Sequence, residues 1–177
     1  MATLYVMDPT HSTASFSIKH MMISKVHGGF EKLSGKLHFD SVNLENSSVL
    51  AEIETASINT RDTQRDTHLK SADFFDVENF PVISFQSTRF EKKGDDFTIT
   101  GKLSIHGVTK EVTLSVEGLN SELKDPWGNT KIGASGLTKI NRKDFGLNWN
   151  AALEAGGILV GEDVNITLEV QFVKQGA

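Results

Sequence analysis

The side chains best suited to metal ligation or proton transfer in this chain are its six histidines. They are His11, His20, His27, His38, His68 and His106. Their spacing matches neither H-E-x-x-H nor H-x-H, and no cysteine is present to add a thiolate ligand. A soft-metal site built from His20, Met21 and Met22 is chemically conceivable, because thioether sulfur suits cuprous copper. We instead predict hydrogen-bonded structural roles for His11 and His20, with no metal and no other cofactor.

Nucleophilic and phosphate-binding chemistry lacks a supporting motif. Ser12 directly follows His11, but no G-x-S-x-G elbow surrounds it. The run GGILVG, residues 156–161, has neither the lysine nor the spacing of a phosphate-binding loop. Carboxylates are frequent, but they alternate onto polar faces where water would solvate them. The sequence therefore predicts no catalytic residue and a protein that is not an enzyme.

Arg61, Arg65 and His68 form the strongest candidate site for an anionic group. In a short helix, residues three or four positions apart share a face. The planar guanidinium of arginine suits phosphate oxygens, so these cations could bind a phosphate head group. The alternative is ion pairing with acidic residues of the same stretch. Those residues are Asp62, Asp66, Asp73 and Asp76.

The elements that must position these side chains are predicted to be β-strands. In EDVNITLEVQFVK, residues 162–174, apolar and polar residues alternate, so one face is buried and the other is solvated. The same pattern occurs in DDFTITGKLSIHG and KEVTLSVEG, where turns at 93–95 and 106–110 make the strands antiparallel neighbours. Weaker alternation is found at 14–18, 33–39, 49–53, 82–90 and 132–140, and the N-terminal TLYV adds another strand.

Eight or nine antiparallel strands predict an all-β protein, either a sandwich or a barrel. Two features favour a β-barrel of about eight strands: the strands are long, and their apolar face is one-sided, which suits one sheet closing on itself. A length of 177 residues suits one domain, so we place a single domain over residues 1–177.

Small residues occupy several positions on the predicted inward face. They are Gly35, Ala51, Gly101, Gly118, Ala134 and Gly136. One interpretation is that glycines allow a tight barrel to coil, and that small and large side chains alternate to fill it. The other is a hollow interior, because an eight-stranded barrel lies at the size where missing side chains leave room for one ligand. An uncharged lining would then select an apolar guest.

A hollow barrel would be lined by the inward apolar residues of its strands. These candidates for lipid contact are Phe16, Ile18, Phe39, Ala51, Phe85, Phe97, Leu103, Leu114, Ile132, Ala134, Ile166, Leu168 and Val170. The longest predicted strand, 163–173, would cover ~28 Å of the barrel axis at ~3.3 Å per residue and a tilt of ~40°. That length suits a long lipid tail better than a compact metabolite.

An insert between two strands is predicted to form a lid over one mouth of the barrel. Asp62 or Thr63 can cap a short helix that runs to Lys70. The adjacent Phe74 and Phe75 would face opposite sides of an extended segment, one into the barrel and one against its cover. Both are therefore candidates for lipid contact.

Five motifs resemble those of the YceI-like family, in the family's order and over nearly the whole chain. They are DPTHSTASFSIKH, RDTHLKSADFFDVENFPVISFQST, GKLSIHGVTKEV, INRKDFGLNWN and LEAGGILVGEDVNITLEVQF. The resemblance implies a lipocalin-like, eight-stranded antiparallel barrel whose interior binds polyisoprenoid or other long amphiphilic lipids. It also implies a helical excursion at 63–76 and suggests a homodimer. INRKDFGLNWN is expected to form a turn whose aromatic residues cover one end of the barrel.

The net charge and the N-terminal sequence indicate which partners and which cellular compartment to expect. A net charge of -5 argues against nucleic acid as a partner. The sequence contains no run of ~20 apolar residues, so we predict no transmembrane segment. Many relatives in the family carry a secretion signal, whereas MATLYVMDPTHS has neither the basic start nor the apolar core of one. We therefore expect a cytoplasmic protein.

The function that best fits these features is non-catalytic binding, storage or transport of a long apolar lipid. By resemblance, that lipid is an isoprenoid of the quinone or polyprenyl phosphate type. Two alternatives stay open. An enzyme acting on such a lipid requires a titratable group that reaches the lumen, yet parity places no carboxylate or histidine inward on the clearest strands. A filled barrel that serves as a protein-interaction module requires no cavity.

Overall fold

The computed structural model describes residues 1–153 and 157–176, so residues 154–156 of the LEAGGILVG motif lie outside the described residues. The strands are β1 (Thr3–Met7), β2 (Thr13–His20), β3 (Ser24–Phe30), β4 (Leu33–Phe39), β5 (Ser48–Glu54), β6 (Ile58–Asn59), β7 (Val82–Lys93), β8 (Asp96–Ile105), β9 (Val108–Gly118), β10 (Leu123–Lys124), β11 (Thr130–Asn141) and β12 (Val160–Lys174). The α-helix α1 spans Thr63–Lys70. No helix in the described ranges is long and apolar enough to cross a membrane.

Eight strands close a ring in which every neighbouring pair is antiparallel. The ring runs β1, β4, β5, β7, β8, β9, β11 and β12, and the pairing of β12 with β1 closes it. Closure of a sheet on itself removes the unpaired edges that would otherwise invite aggregation. The predicted all-β barrel of about eight antiparallel strands is therefore confirmed.

Alternation of apolar and polar residues sets the inward face of each strand. Along β12, Ile166, Leu168 and Phe172 pack in or against the core, whereas Asn165 and Glu169 are exposed. This is the period-two pattern that the sequence shows in the same segment.

At one end of the ring, three further strands extend the barrel wall. β2 pairs with the N-terminal part of β12 and continues to β3 and the short β6. β1 and β2 lie along the same edge of β12 and are separated by the 3-10 turn Pro9–His11. The chain between β6 and β7, which includes α1, packs on this extension through the rings of Phe75 and Phe30, whose centroids are 5.7 Å apart.

α1 begins where the sequence predicts. Asp62 is its N-cap, and its carboxylate accepts the backbone N–H of Arg65 at 3.1 Å. Asp66 ties the helix to Thr60, the residue that follows β6, by accepting its N–H at 2.9 Å and its hydroxyl at 2.5 Å. The predicted short helical insert ending at Lys70 is thus confirmed.

Two local predictions are wrong. The β8–β9 turn consists of His106 and Gly107 alone, so β9 begins two residues earlier than expected. Phe74 and Phe75 lie in turns rather than in an extended segment, because the N–H of Phe74 donates to the carbonyl of Ser71 at 3.0 Å.

Candidate functional site

The ring and its extension surround a mainly apolar cavity of about 580 Å³. That volume lies within the ~300–1,000 Å³ typical of small-molecule sites. The inward residues of β12 contribute to its wall from Val160 to Phe172. This stretch corresponds to about 30 Å along the barrel axis at about 3.3 Å per residue and a tilt of about 40°. The cavity can therefore hold one extended apolar chain.

Small inward residues leave part of this space unfilled. Ala51, Ala134 and Gly136 all lie on the cavity wall. A Cβ atom placed on Gly136 would meet only the Leu168 side chain, at 3.6 Å or more, which is ordinary van der Waals contact. A larger side chain would fit at this position, so its absence contributes to the hollow.

Other inward glycines are required by close approach of the backbone. A Cβ on Gly101 would lie 2.5 Å from the carbonyl oxygen of Gln86 and 2.6 Å from the ring of Phe85. Gly118 has a φ of +102°, and a Cβ there would lie 2.5 Å from the carbonyl oxygen of Gly133. The tight-barrel interpretation applies at these two positions and the hollow interpretation at Gly136.

Most of the predicted lining residues surround the cavity. Those on its wall are Phe16, Ile18, Ala51, Phe74, Phe75, Phe85, Leu103, Leu114, Ala134, Ile166, Leu168 and Val170. Several of them, including Phe16, Ile166 and Val170, are only partly buried although they point inward. A filled interior packs as densely as an organic crystal, so this partial exposure reflects empty space inside the barrel.

Phe39, Phe97 and Ile132 are not on the cavity wall, and the prediction that they line it is wrong. Their exposed fractions are 6%, 5% and 3%. Phe39 and Phe97 meet edge to face with ring centroids 5.8 Å apart. All three lie at the end of the barrel where β4 ends and β8 and β11 begin, and there the side chains fill the interior. Alternation along a strand shows which side chains point inward, but it does not show whether they lie beside the cavity or at the filled end of the barrel.

The opposite end of the cavity has polar and charged lining. Asp62, Arg65 and His68 contribute from α1 and its N-cap, and His20 contributes from the end of β2. The expectation of an uncharged lining fails here, because parity on the longest strands does not reach the helix or the strand ends. We call this end the mouth of the cavity.

Arg65 lies at the mouth with part of its guanidinium engaged. Its Nε donates to the hydroxyl of Thr60 at 2.8 Å, and one terminal nitrogen donates to the Thr60 carbonyl at 2.7 Å. These bonds use two of the five N–H groups that a guanidinium carries. The side chain is therefore fixed in position and retains donors for an anionic ligand.

His68 is held on the cavity wall by a hydrogen bond and by edge-to-face aromatic contacts. Its Nε2 lies 2.8 Å from a carboxylate oxygen of Asp73. The imidazole meets the rings of Trp149 and Phe74 edge to face, at centroid distances of 4.7 Å and 5.1 Å. His68 therefore contacts an acidic residue of the same insert, which is the partner that the alternative expected.

Arg61 does not join Arg65 and His68 at the cavity. It is exposed, has a φ of +68°, and lines a separate polar cleft. The residue precedes the N-cap Asp62 and so lies outside the helix, where the three-to-four-residue spacing does not apply. The prediction that the three cations share one face is wrong for Arg61.

Sequence reasoning assigned no role of its own to Arg142, which is 3% exposed and lies on the cavity wall. Its guanidinium donates to four backbone carbonyls, those of Gly161 (2.7 Å), Leu147 (2.5 Å), Trp149 (2.9 Å) and Val160 (3.3 Å). Burial lowers the pKa of Arg142 from its ordinary value, but a guanidinium remains charged. The arginine thus ties the loop before β12 to the start of that strand.

Ser12 and His11 do not form a nucleophile and base pair. The Ser12 hydroxyl accepts the N–H of Gln171 at 3.1 Å, whereas Nδ1 of His11 lies 2.9 Å from Asp8. Across residues 1–153 and 157–176, no group of three histidine or acidic side chains is arranged to hold a metal ion.

The chain matches the family model of the YceI-like domain over residues 5–172. A UPF0312 protein of Staphylococcus aureus is 36% identical over 171 residues, which are 96% of this chain and 97% of that protein.

Solved structures share the fold. The Campylobacter jejuni YceI protein has a TM-score of 0.73 and 32% identity, over 89% of this chain and 90% of that chain. A polyisoprenoid binding domain from Saccharophagus degradans, implicated in plant cell wall breakdown, has a TM-score of 0.70 over 97% of this chain and 98% of that one. Its 16% identity limits the likeness to the fold.

Proposed function

This chain belongs to the YceI-like family, and on that premise we propose that it binds one long isoprenoid lipid inside its barrel. The observation that carries the proposal is the mainly apolar cavity of about 580 Å³, whose wall includes β12 residues from Val160 to Phe172. The isoprenoid class is supported by the Saccharophagus degradans domain of the same fold, which is described as polyisoprenoid binding. A quinone or a polyprenyl phosphate combines such a tail with a polar head, and the mouth offers polar partners for that head.

The proposed role is storage or transport without catalysis. Three of the titratable groups on the cavity wall are held by other groups of the protein: Arg65 by Thr60, His68 by Asp73, and Arg142 by backbone carbonyls. These hydrogen bonds fix the three side chains in place, and the rest of the wall is mainly apolar, which favours binding over bond-making. The cavity itself argues against a filled barrel that acts only as a protein-interaction module.

Four further points stay predictions. They are the single domain over residues 1–177, the cytoplasmic location, the homodimer, and the lack of a nucleic-acid partner.

Affinity for a series of polyprenols should rise with chain length and then level off. Each CH₂ buried contributes ~0.8 kcal/mol, reduced by the cost of ordering the tail, until the cavity is full. Competition titration in one detergent at constant concentration would give the dissociation constants. Equal affinity for the shortest and the longest tail would contradict a tunnel-like site.

Arg65→Ala should weaken binding of a polyprenyl phosphate but not of the polyprenol of equal length. Loss of a charge-assisted hydrogen bond costs ~1–3 kcal/mol, or roughly five- to 150-fold in Kd. Arg61→Ala is the matched control, because Arg61 lies off the cavity and should leave both affinities unchanged. If Arg65→Ala weakened both ligands equally, the arginine would only hold the mouth in place.

A further inference from the structure

The hairpin between β2 and β3 presents an exposed apolar tip, residues 21–23. Met21, Met22 and Ile23 are 42%, 63% and 83% exposed. Ile158, 37% exposed, lies in the segment that neighbours this hairpin. Exposing three consecutive large apolar side chains to water is unfavourable in free energy, so we expect a partner to cover the tip.

The backbone of the apolar tip is also unfavourable for its sequence. Met21 and Met22 have φ of +52° and +60°, and the N–H of Ile23 donates to the His20 carbonyl at 3.3 Å. A turn with positive φ at both central residues favours Asn-Gly, because long side chains are strained there. The β8–β9 hairpin of the same chain places a glycine, Gly107, at the second such position. The methionines are therefore not explained by the needs of the turn.

The apolar tip lies directly at the mouth of the cavity. The N–H of Met21 donates to the carbonyl of Leu159 at 2.7 Å, and Leu159 is on the cavity wall. Ile18 and His20, the last inward residues of β2, also line the cavity. A surface that covered the tip would therefore lie next to the entrance.

Two lysines flank the tip and face each other across the hairpin. Lys19 pairs with Lys25 in the β2–β3 register, and both are exposed. Like charges placed opposite each other on neighbouring strands are destabilising, and an anionic surface would relieve that repulsion. The acids nearest on β12 are already paired, Glu162 with Lys143 at 2.8 Å and Asp163 with Lys139 at 3.6 Å.

We propose that the apolar tip and the Lys19–Lys25 pair dock the cavity mouth onto an anionic lipid bilayer. The apolar side chains enter the boundary between head groups and acyl chains, while the lysines contact the anionic head groups. Docking brings the entrance of the cavity to the bilayer, so that a lipid can enter without crossing water. The inference extends the proposed function, but it concerns a surface that can be tested without any cargo.

The test uses co-sedimentation with vesicles that contain no isoprenoid. The protein should sediment with vesicles of equal parts phosphatidylcholine and phosphatidylglycerol, and far less with phosphatidylcholine alone. Met21→Asn/Met22→Gly should lower the partition coefficient by about ten-fold or more through lost apolar burial. The same double variant supplies the preferred turn residues, so its melting temperature should be no lower than that of the unaltered protein.

Additional variants leave Met21 and Met22 unchanged, so their effects do not depend on the conformation of the turn. Ile23→Ser should also reduce vesicle binding, and Lys19→Gln/Lys25→Gln should reduce it by about five-fold per lysine, from ~1 kcal/mol each. Leu123→Ser is the control, because Leu123 is 75% exposed at the opposite, closed end of the barrel and should not affect binding.

Three results would overturn the proposal. They are failure of the unaltered protein to sediment with the anionic vesicles, full binding by Met21→Asn/Met22→Gly and Ile23→Ser, or an equal loss caused by Leu123→Ser. Uptake of a polyprenol delivered in detergent is measured in parallel. Uptake without vesicle binding would reject docking alone, and vesicle binding without uptake would reject the lipid cargo alone.

Discussion

Ala134→Phe is expected to remove most lipid binding while leaving the protein as stable as before. Ala134 lies on the cavity wall, so the new ring would occupy space that the lipid tail otherwise fills. Displacing two or three CH₂ groups of the ligand costs about 2 kcal/mol, or roughly thirty-fold in Kd. In a filled core the same change would overpack the interior and cost ~1–3 kcal/mol of unfolding free energy. Urea unfolding without ligand, together with lipid titration, separates the two cases.

Leu137→Phe provides the control for this change. Leu137 is on the same strand, β11, but is 55% exposed on the outer face. It should alter neither the unfolding free energy nor the lipid affinity. Ala51→Phe, on the facing wall formed by β5, should reproduce the effect of Ala134→Phe. A destabilised Ala134→Phe protein that bound lipid normally would show that the interior is filled.

Arg142→Met should lower the unfolding free energy by about 3 kcal/mol or more, because buried carbonyls lose a charged donor. Those carbonyls belong to the loop before β12 and to its first residues, Val160 and Gly161. For a chain of this size, such a loss corresponds to a fall of about 10 °C in melting temperature. Urea unfolding monitored by circular dichroism measures the free energy.

Lys143→Met tests whether burial explains that effect. Lys143 is next in sequence, but its ion pair with Glu162 at 2.8 Å is 46% and 42% exposed. Exposed pairs contribute at most about 1 kcal/mol, so the control should be nearly neutral. Equal effects of Arg142→Met and Lys143→Met would contradict a special role for the buried guanidinium.

The barrel could be predicted because its strands are specified locally. β4 has the predicted limits, 33–39, and alternation along β12 identifies its inward face without any tertiary information. The start of α1 was equally local, since the side chain of Asp62 caps the helix that follows it. The turn of His106 and Gly107 was placed correctly but made too long.

β3 was not predicted, because its residues are adapted to the neighbouring strand β2 and do not alternate regularly between apolar and polar. Gly28 pairs with Phe16, and a Cβ on Gly28 would lie 2.6 Å from that ring. The glycine therefore makes room for Phe16 but interrupts the alternation that would identify a strand. Such a compensation becomes visible only when the two strands are placed side by side.

The site was only partly predictable for a related reason. The alternation along each strand showed that Phe39 and Phe97 point inward. Which end of the barrel is filled by side chains depends on how all the strands are staggered. The partners of Arg142 are backbone carbonyls on two segments, and no residue type in the sequence marks a carbonyl as a partner. The prediction for Arg61 was wrong because the helix begins at Thr63, two residues after Arg61.

Native mass spectrometry of the purified protein tests most directly whether the cavity holds a lipid. We expect a mass increase equal to one long isoprenoid per chain, present on purification or after incubation with a polyprenol or a quinone. Ala134→Phe should lose this adduct, whereas Leu137→Phe should retain it. A folded protein that shows only the mass of the bare chain, before and after incubation with these lipids, would contradict lipid binding in the cavity.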